Sequence, residues 1–379
     1  MLNGRNLVVD TFSLVYRDLR PWITHEFWTL ENHDIVANSV YVIGRKLFVE
    51  YRPMIEMLLT RPDVTVVFDN AFEGSRTLMD QLRSMNLESH ARGGNLRIIG
   101  GGDMDPAYAY TRIDHFLVHI LDYQENIQAQ QRTDEIFAGN PKPYTFMFLN
   151  GRARPHRKYL WERFRESQIL DQSLWTMLES RPCIDRELKL MRGDVNVMAT
   201  PTPLRRLPAL YEYRDYRDTE IMVDMPDRAF IKQDMFQNTW GEIYLEPQGY
   251  VDTYFSLVTE TVYDVPYSFR TEKIAKVIAM GHPWICAANQ YFYRDMRDLG
   301  FQTFGSVIDE SFDSIEDNQQ RLDRIHDIVV DLVGQDLQSF LQACEPICKY
   351  NQQRLREFQK EHRAQIPQQF FSLINHGRP

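Results

Sequence analysis

The sequence predicts an α/β protein built on parallel sheets, and three observations predict it. Short, continuous apolar runs rich in Val, Ile and Phe recur along the chain. Between them lie stretches whose apolar residues are spaced for helices, the strand–helix alternation of a parallel sheet with helices on its faces. The runs also end in polar or glycine-rich turns that open the following helix, where ligands of such sheets bind.

The elements follow in order. NLVVDTFSLVY, residues 6–16, reads as a buried first strand ending near Asp10. Residues 32–60 carry helical spacing, with Pro53 as the break. Val64–Phe68 is a short buried strand that feeds Asp69, Asn70, Glu73, Gly74 and Ser75, and then the helix TLMDQLRSM. Leu96–Ile99 is the next strand, stopped by Gly100, Gly101 and Gly102. A second series starts near Pro141: an aromatic strand Tyr144–Leu149, a basic turn 150–157 and a helix to about Ser167. Pro201, Pro203 and Pro208 mark a linker, and Ile243–Leu245 and Tyr254–Val258 read as strands.

Thr271 then opens a helix that Gly281 closes, and Pro283–Ala287 returns as a strand. Residues 291–299 form a short helix ended by Gly300, and 301–304 are extended. From Ile315 the chain is helical to about His362, broken near Gly334, with a mostly solvated outer face. The domains expected are 1–140, 141–333 and a helical extension 334–379.

The 379 residues are 43% hydrophobic and 25% charged, enough for two domains with cores of their own. With 43 Lys+Arg against 53 Asp+Glu, the net charge of -10 opposes nonspecific binding to nucleic acid. Four cysteines are too few for a disulfide framework and fit a reducing compartment. Cys344 and Cys348 share a helical face without a metal-binding partner nearby and read as core. No apolar run is long enough to span a bilayer and no secretory leader is evident, so a cytoplasmic protein without a membrane partner is expected.

Two turns carry the chemistry. Arg152, Arg154, His156, Arg157 and Lys158 crowd the start of a helix whose amides are already partly positive. Such crowding suits a bound anion, and guanidinium forks match a diphosphate. At the other turn a helix start accounts for Thr271 and Glu272 by itself, but Lys273 there needs an anionic tenant. Glu260 ends a strand at the same rim, eleven residues earlier.

Phe255 to Glu260, then Phe269-Arg270-Thr271-Glu272-Lys273, then Gly281-His282-Pro283-Trp284-Ile285 resembles the donor-binding segment of α-1,3-fucosyltransferases and related GT-B glycosyltransferases. The strand Phe146–Asn150 followed by Arg157 resembles their upstream element. The chain is also similar to glycosyltransferase-like proteins of tailed bacteriophages, through the N-x-R-x-R-x-H-R loop, V-T-E-T…T-E-K, and a tail Leu299 to Phe304 plus Asp309 to Asp313. The likeness covers roughly residues 144–325.

The resemblance implies two Rossmann-like domains in the GT-B architecture, facing across a cleft, with the acceptor in the first and a UDP- or GDP-linked sugar in the second. Carried over by position, it implies that Glu272 binds the donor ribose and that Lys273 and Arg157 bind the diphosphate, with Glu260 near the sugar. Asn150, Arg152, Arg154, His156 and Thr271 complete the expected donor site. Phe269 stands where the family has Tyr, and Thr261 where it commonly has Asn, which leaves the precise donor open.

With these cations in place no metal or other cofactor is required, and Asp103-x-Asp105 reads as a chance D-x-D. The general base of an inverting reaction is expected from Asp69 or Glu73, then Asp10. For the acceptor, the phage likeness implies a hydroxymethylated base in viral DNA, for which the Arg/Tyr stretch 205–217 would suit; a carbohydrate or protein agrees better with the charge. A non-catalytic nucleotide- or nucleic-acid-binding protein of the same fold is the rival from another class.

Overall fold

A six-stranded and a four-stranded sheet organise the computed structural model, which describes residues 2–31, 33–122, 124–150, 154–177, 245 and 247–375. The first sheet contains β1 (Asn6–Asp10), β2 (His25–Phe27), β3 (Ser39–Gly44), β4 (Val64–Asn70), β5 (Leu96–Gly100) and β6 (Tyr110–Arg112). Its order is β2-β1-β3-β4-β5-β6, and every pair is parallel. The second contains β7 (Tyr144–Asn150), β8 (Leu174–Met177), β9 (Thr253–Thr259) and β10 (Trp284–Ala287), in the order β10-β9-β7-β8, again all parallel. The α/β class with parallel sheets and C-terminal helices is therefore present.

In each sheet the chain reverses its direction of travel once. From β1 it moves outward to β2 and then back to β3 on the other side of β1; from β7 it moves to β8 and then to β9 on the other side of β7. In open α/β sheets ligands bind in the crevice outside the carboxyl ends of the strands at such reversal points, here β1/β3 and β7/β9.

The chain divides into two units. One holds Met1–Val118, Tyr267–Phe269 and Phe358–Pro379; the other holds His119–Pro266 and Arg270–Glu357. The first boundary thus falls near 118 rather than 140. Residues 119–140 join the second unit because Gln130 donates to the Ala279 carbonyl (2.7 Å) and Thr133 to that of Met280 (3.2 Å).

Residues 32–60 correct the sequence reading. Ser39–Gly44 is a strand buried at every position, and helices begin only at Arg45 and Arg52. A strand covered on both faces shows no alternation, so its apolar run passes for one side of a helix. Around it lies the first core, where the rings of Phe48 and Phe68 stack at 3.9 Å. Residues 301–304 carry no regular secondary structure, and Phe301 and Phe304 are buried.

The break at Gly334 is observed, closing the helix Asn318–Val333. The last helix, Leu337–Asn375, runs past His362, and one side of it is buried: Leu341, Cys344, Cys348, Leu355, Phe358, Ile366, Phe370 and Ile374. Its solvated side is therefore only part of its surface. The expected linker 200–210, the stretch 205–217, most of the Ile243–Leu245 strand and Arg152 lie outside the described residues.

Candidate functional site

Glu260 is the centre on which both turns of the second unit converge. It follows β9 directly and is wholly buried. Its Oε1 accepts from the Thr271 amide (3.0 Å), and its Oε2 accepts from the Thr271 hydroxyl (2.6 Å) and the Thr261 amide (3.1 Å). Because the Thr271 hydroxyl donates its one hydrogen to Glu260, its lone pairs are turned toward Lys273. They accept from the Lys273 amide (3.3 Å), the N-cap bond of the helix Glu272–Met280, and from the Lys273 ammonium (3.2 Å). Gly281 closes that helix with φ +63°, a left-handed turn that glycine adopts without strain.

The backbone of Glu260 holds the other turn. The His156 ring lies 3.0 Å from the Glu260 carbonyl through Nε2, and Arg157 Nη2 donates to the carbonyls of Thr259 (2.9 Å) and Glu260 (3.4 Å). One residue earlier, the Thr259 hydroxyl donates to Asn150 Oδ1 (2.6 Å), tying the carboxyl ends of β9 and β7 together. Arg154 is the N-cap residue of the helix Pro155–Glu166, partly exposed at the same edge.

The electrostatics follow from this packing. Burial pushes the Glu260 carboxyl up from its ordinary value, with Lys273 opposing that rise. Burial works the same way on Glu272, but Lys273 and Lys276 outweigh it and hold its carboxyl below the usual value. The Glu272 carboxylate also accepts from the Lys273 ammonium (2.5 Å), and both side chains stay partly exposed at the helix start. Burial, followed by the neighbouring Arg157 charge, lowers His156 to about 3, so at neutral pH the ring is uncharged and Nε2 bears the hydrogen given to the carbonyl.

His156 and Arg157, expected to bind the donor diphosphate, are both buried, and each meets backbone carbonyls at the end of β9. Lys273 and Glu272 are the charged pair presented at the surface. Sequence reasoning missed what holds His156 in place: its ring stacks on Tyr263 at 5.0 Å, and the Arg321 guanidinium lies 4.4 Å from the Tyr263 ring centre. The V-Y-D segment after Glu260 offered only an aromatic among polar residues as a signal.

The tail motif has a structural purpose. The Asp313 carboxylate accepts from the amides of Tyr293 (2.9 Å) and Arg294 (3.2 Å) and so caps the helix Phe292–Asp298, while Glu310 accepts from Thr303 (2.9 Å) and Arg297 (3.1 Å).

In the first unit, Asp69 is buried and accepts from the Ser13 hydroxyl (2.5 Å) and the Val15 amide (3.1 Å). Asp10 is equally buried, accepts from the amides of Phe12 (2.8 Å) and Gly44 (3.0 Å), and is raised to about 6 by burial and then by the Asp69 charge. Glu73 pairs with Arg45 and keeps some exposure, so it is the most accessible of the three carboxylates. Asp103 pairs with Arg112, and Asp105 accepts from the Ala107 amide (2.9 Å).

Family models, curated proteins and solved structures contain no match to this chain.

Proposed function

We propose that the chain is a glycosyltransferase of the GT-B arrangement, moving a sugar from a nucleoside diphosphate to an acceptor hydroxyl. One observation carries this reading: the two turns, far apart in sequence, share Glu260 at the carboxyl-end crevice of a parallel sheet, the place where such sheets bind nucleotides. There a helix start presents a partly exposed ammonium and carboxylate side by side.

The chemistry follows from charge. As the glycosidic bond breaks, negative charge grows on the diphosphate. The Lys273 ammonium and the positive end of its helix stabilise that charge more in the transition state than in the bound donor. The Glu272 carboxylate offers two acceptor oxygens to a ribose diol. Glu260, through Thr271, sets where Lys273 stands, while Arg157 and His156 keep the strand end rigid behind it. Glu73, the most exposed of the three candidate carboxylates, is our choice for the base that deprotonates the acceptor, with Asp69 and Asp10 buried as structural carboxylates.

A panel of UDP- and GDP-sugars tests this. At least one is expected to raise the melting temperature and to be slowly hydrolysed, and Lys273→Ala is expected to lose that stabilisation while keeping its circular dichroism spectrum. Tight binding without any release of nucleoside diphosphate would make the protein a binding module. An unaltered donor response in Lys273→Ala would remove the assignment.

A further inference from the structure

We propose that Tyr263 and Arg321 are positioning residues for the Lys273 ammonium, acting on it through His156 and Glu260; its consequence for donor binding rests on the transferase reading. All of these residues lie in the second unit. Tyr263 and Arg321 belong to neither of the two turns that carry the candidate site, and only the fold brings them to it.

Arg321 stands in the first turn of the helix Asn318–Val333 and is 2% exposed. A buried guanidinium is tolerated only where its hydrogens are met. Nη1 donates to the carbonyls of Ile315 (2.8 Å) and Glu316 (3.3 Å), and Nη2 to the Tyr263 carbonyl (2.9 Å) and Asn318 Oδ1 (2.6 Å). The Tyr263 hydroxyl donates to the Asn318 carbonyl (3.0 Å) and closes the ring of bonds. Each of these acceptors is a neutral oxygen, so the charge is solvated by dipoles and by the Tyr263 ring, whose centre lies 4.4 Å away. An aliphatic side chain would fill this place at lower cost, and it would hold nothing.

What the guanidinium holds is the loop that leaves Glu260, pinned at both the carbonyl and the ring of Tyr263. The same ring stacks on His156 at 5.0 Å, with 13° between the planes. His156 meets the Glu260 carbonyl at 3.0 Å, both carboxylate oxygens of Glu260 hold Thr271, and the Thr271 hydroxyl accepts from the Lys273 ammonium (3.2 Å). Every member of this series before Lys273 is buried, and a close-packed interior passes a displacement on rather than absorbing it.

The test is amide hydrogen exchange on the full-length protein without donor, read by mass spectrometry. The Thr271 amide is bonded to Glu260 and the Lys273 amide to Thr271, so both report the series directly. Tyr263→Leu, which removes the ring, is expected to speed their exchange roughly tenfold or more while the strand Trp284–Ala287 keeps its protection. Tyr263→Phe, which restores the ring, should stay within about twofold of wild type. Arg321→Lys keeps the charge but not the planar fork and should fall between them; it carries the same test should Tyr263→Leu lose its cooperative melt. Wild-type protection of those two amides in either folded variant overturns the proposal. An equal rise in the 284–287 strand also overturns it, since the pair would then be merely structural, as does a Tyr263→Phe as loosened as Tyr263→Leu. For a nucleotide-sugar that stabilises the wild type, the half-saturating concentration should rise about tenfold in Tyr263→Leu and stay unchanged in Tyr263→Phe. Because exchange is measured without donor, a wild type that answers to no nucleotide-sugar removes the transferase reading and leaves the positioning result to stand or fall by itself.

Discussion

Thr271 is the residue on which the candidate site is most finely balanced. Its hydroxyl donates to Glu260 and accepts twice from Lys273, so one oxygen links a buried carboxylate to an exposed cation. Thr271→Val keeps the shape but removes those bonds. It is expected to cost about 1–3 kcal/mol, since a buried acceptor and a helix amide lose their partner, and to weaken donor binding. Urea unfolding measures the first effect, and a change below about 0.5 kcal/mol would refute it. His282 supports a second expectation. It is fully buried between Ser256 and the Thr253 carbonyl, and burial lowers it to about 3. The unfolded chain takes up a proton below about pH 6.5 that the folded ring refuses. Stability should therefore fall as pH drops from 6.5 toward 3, by about 1.4 kcal/mol per pH unit for such a ring. Asp10, raised to about 6, acts in the opposite sense: it favours the fold below about 3.8, and that contribution is lost as pH rises through 6. His282→Gln should flatten the acid limb by about one proton's worth, measured as unfolding midpoint against pH.

At the level of elements, the glycine triplet after β5 shows why a turn needs a particular residue. The chain at Ser268 and Phe269 crosses these glycines, with a bridge between Gly102 and Phe269 and a bond from the Asp103 amide to the Ser268 carbonyl (2.9 Å). A Cβ at Gly101 would lie 2.1 Å from the Ala71 carbonyl oxygen, and one at Gly102 would lie 2.6 Å from that of Ser268. Gly101→Ala should thus destabilise the first unit by roughly 3 kcal/mol or more, because backbone rather than a flexible side chain is in the way. A melting temperature within a degree or two of wild type would contradict that. In sequence the triplet announced only the end of a strand.

For the molecule as a whole, the final helix is the component whose importance spacing alone understates. Its segment 358–375 belongs to the first unit: Gln359 donates to the Leu117 carbonyl (3.0 Å), Arg363 to that of Val118 (3.1 Å), and Arg5 to Asn375 (2.9 Å). Phe371 meets Trp22 edge-on at 5.4 Å. Deleting everything after Glu357 should leave that unit unfolded or aggregating, since buried Phe358, Ile366, Phe370 and Ile374 would all be removed from its core. A truncated protein that kept a cooperative thermal transition and an unchanged melting temperature would disprove this. Pro346 and Pro367 inside the helix withhold two amide donors, so its continuity depends on that packing rather than on propensity.

Local pattern was enough to place β4, β5, β7 and β9, the helix from Glu272 to its glycine stop, and the two polar turns at strand ends, because caps, glycines and β-branched runs act within a few residues. It was not enough for β3, whose burial on both faces erases periodicity, nor for β2, β6 and β8, too short to carry any. The meeting of Thr271, His156 and Arg157 on Glu260 depends on which strands lie side by side. That order is settled by long-range packing of the sheets, and residues a hundred positions apart carry no local trace of it.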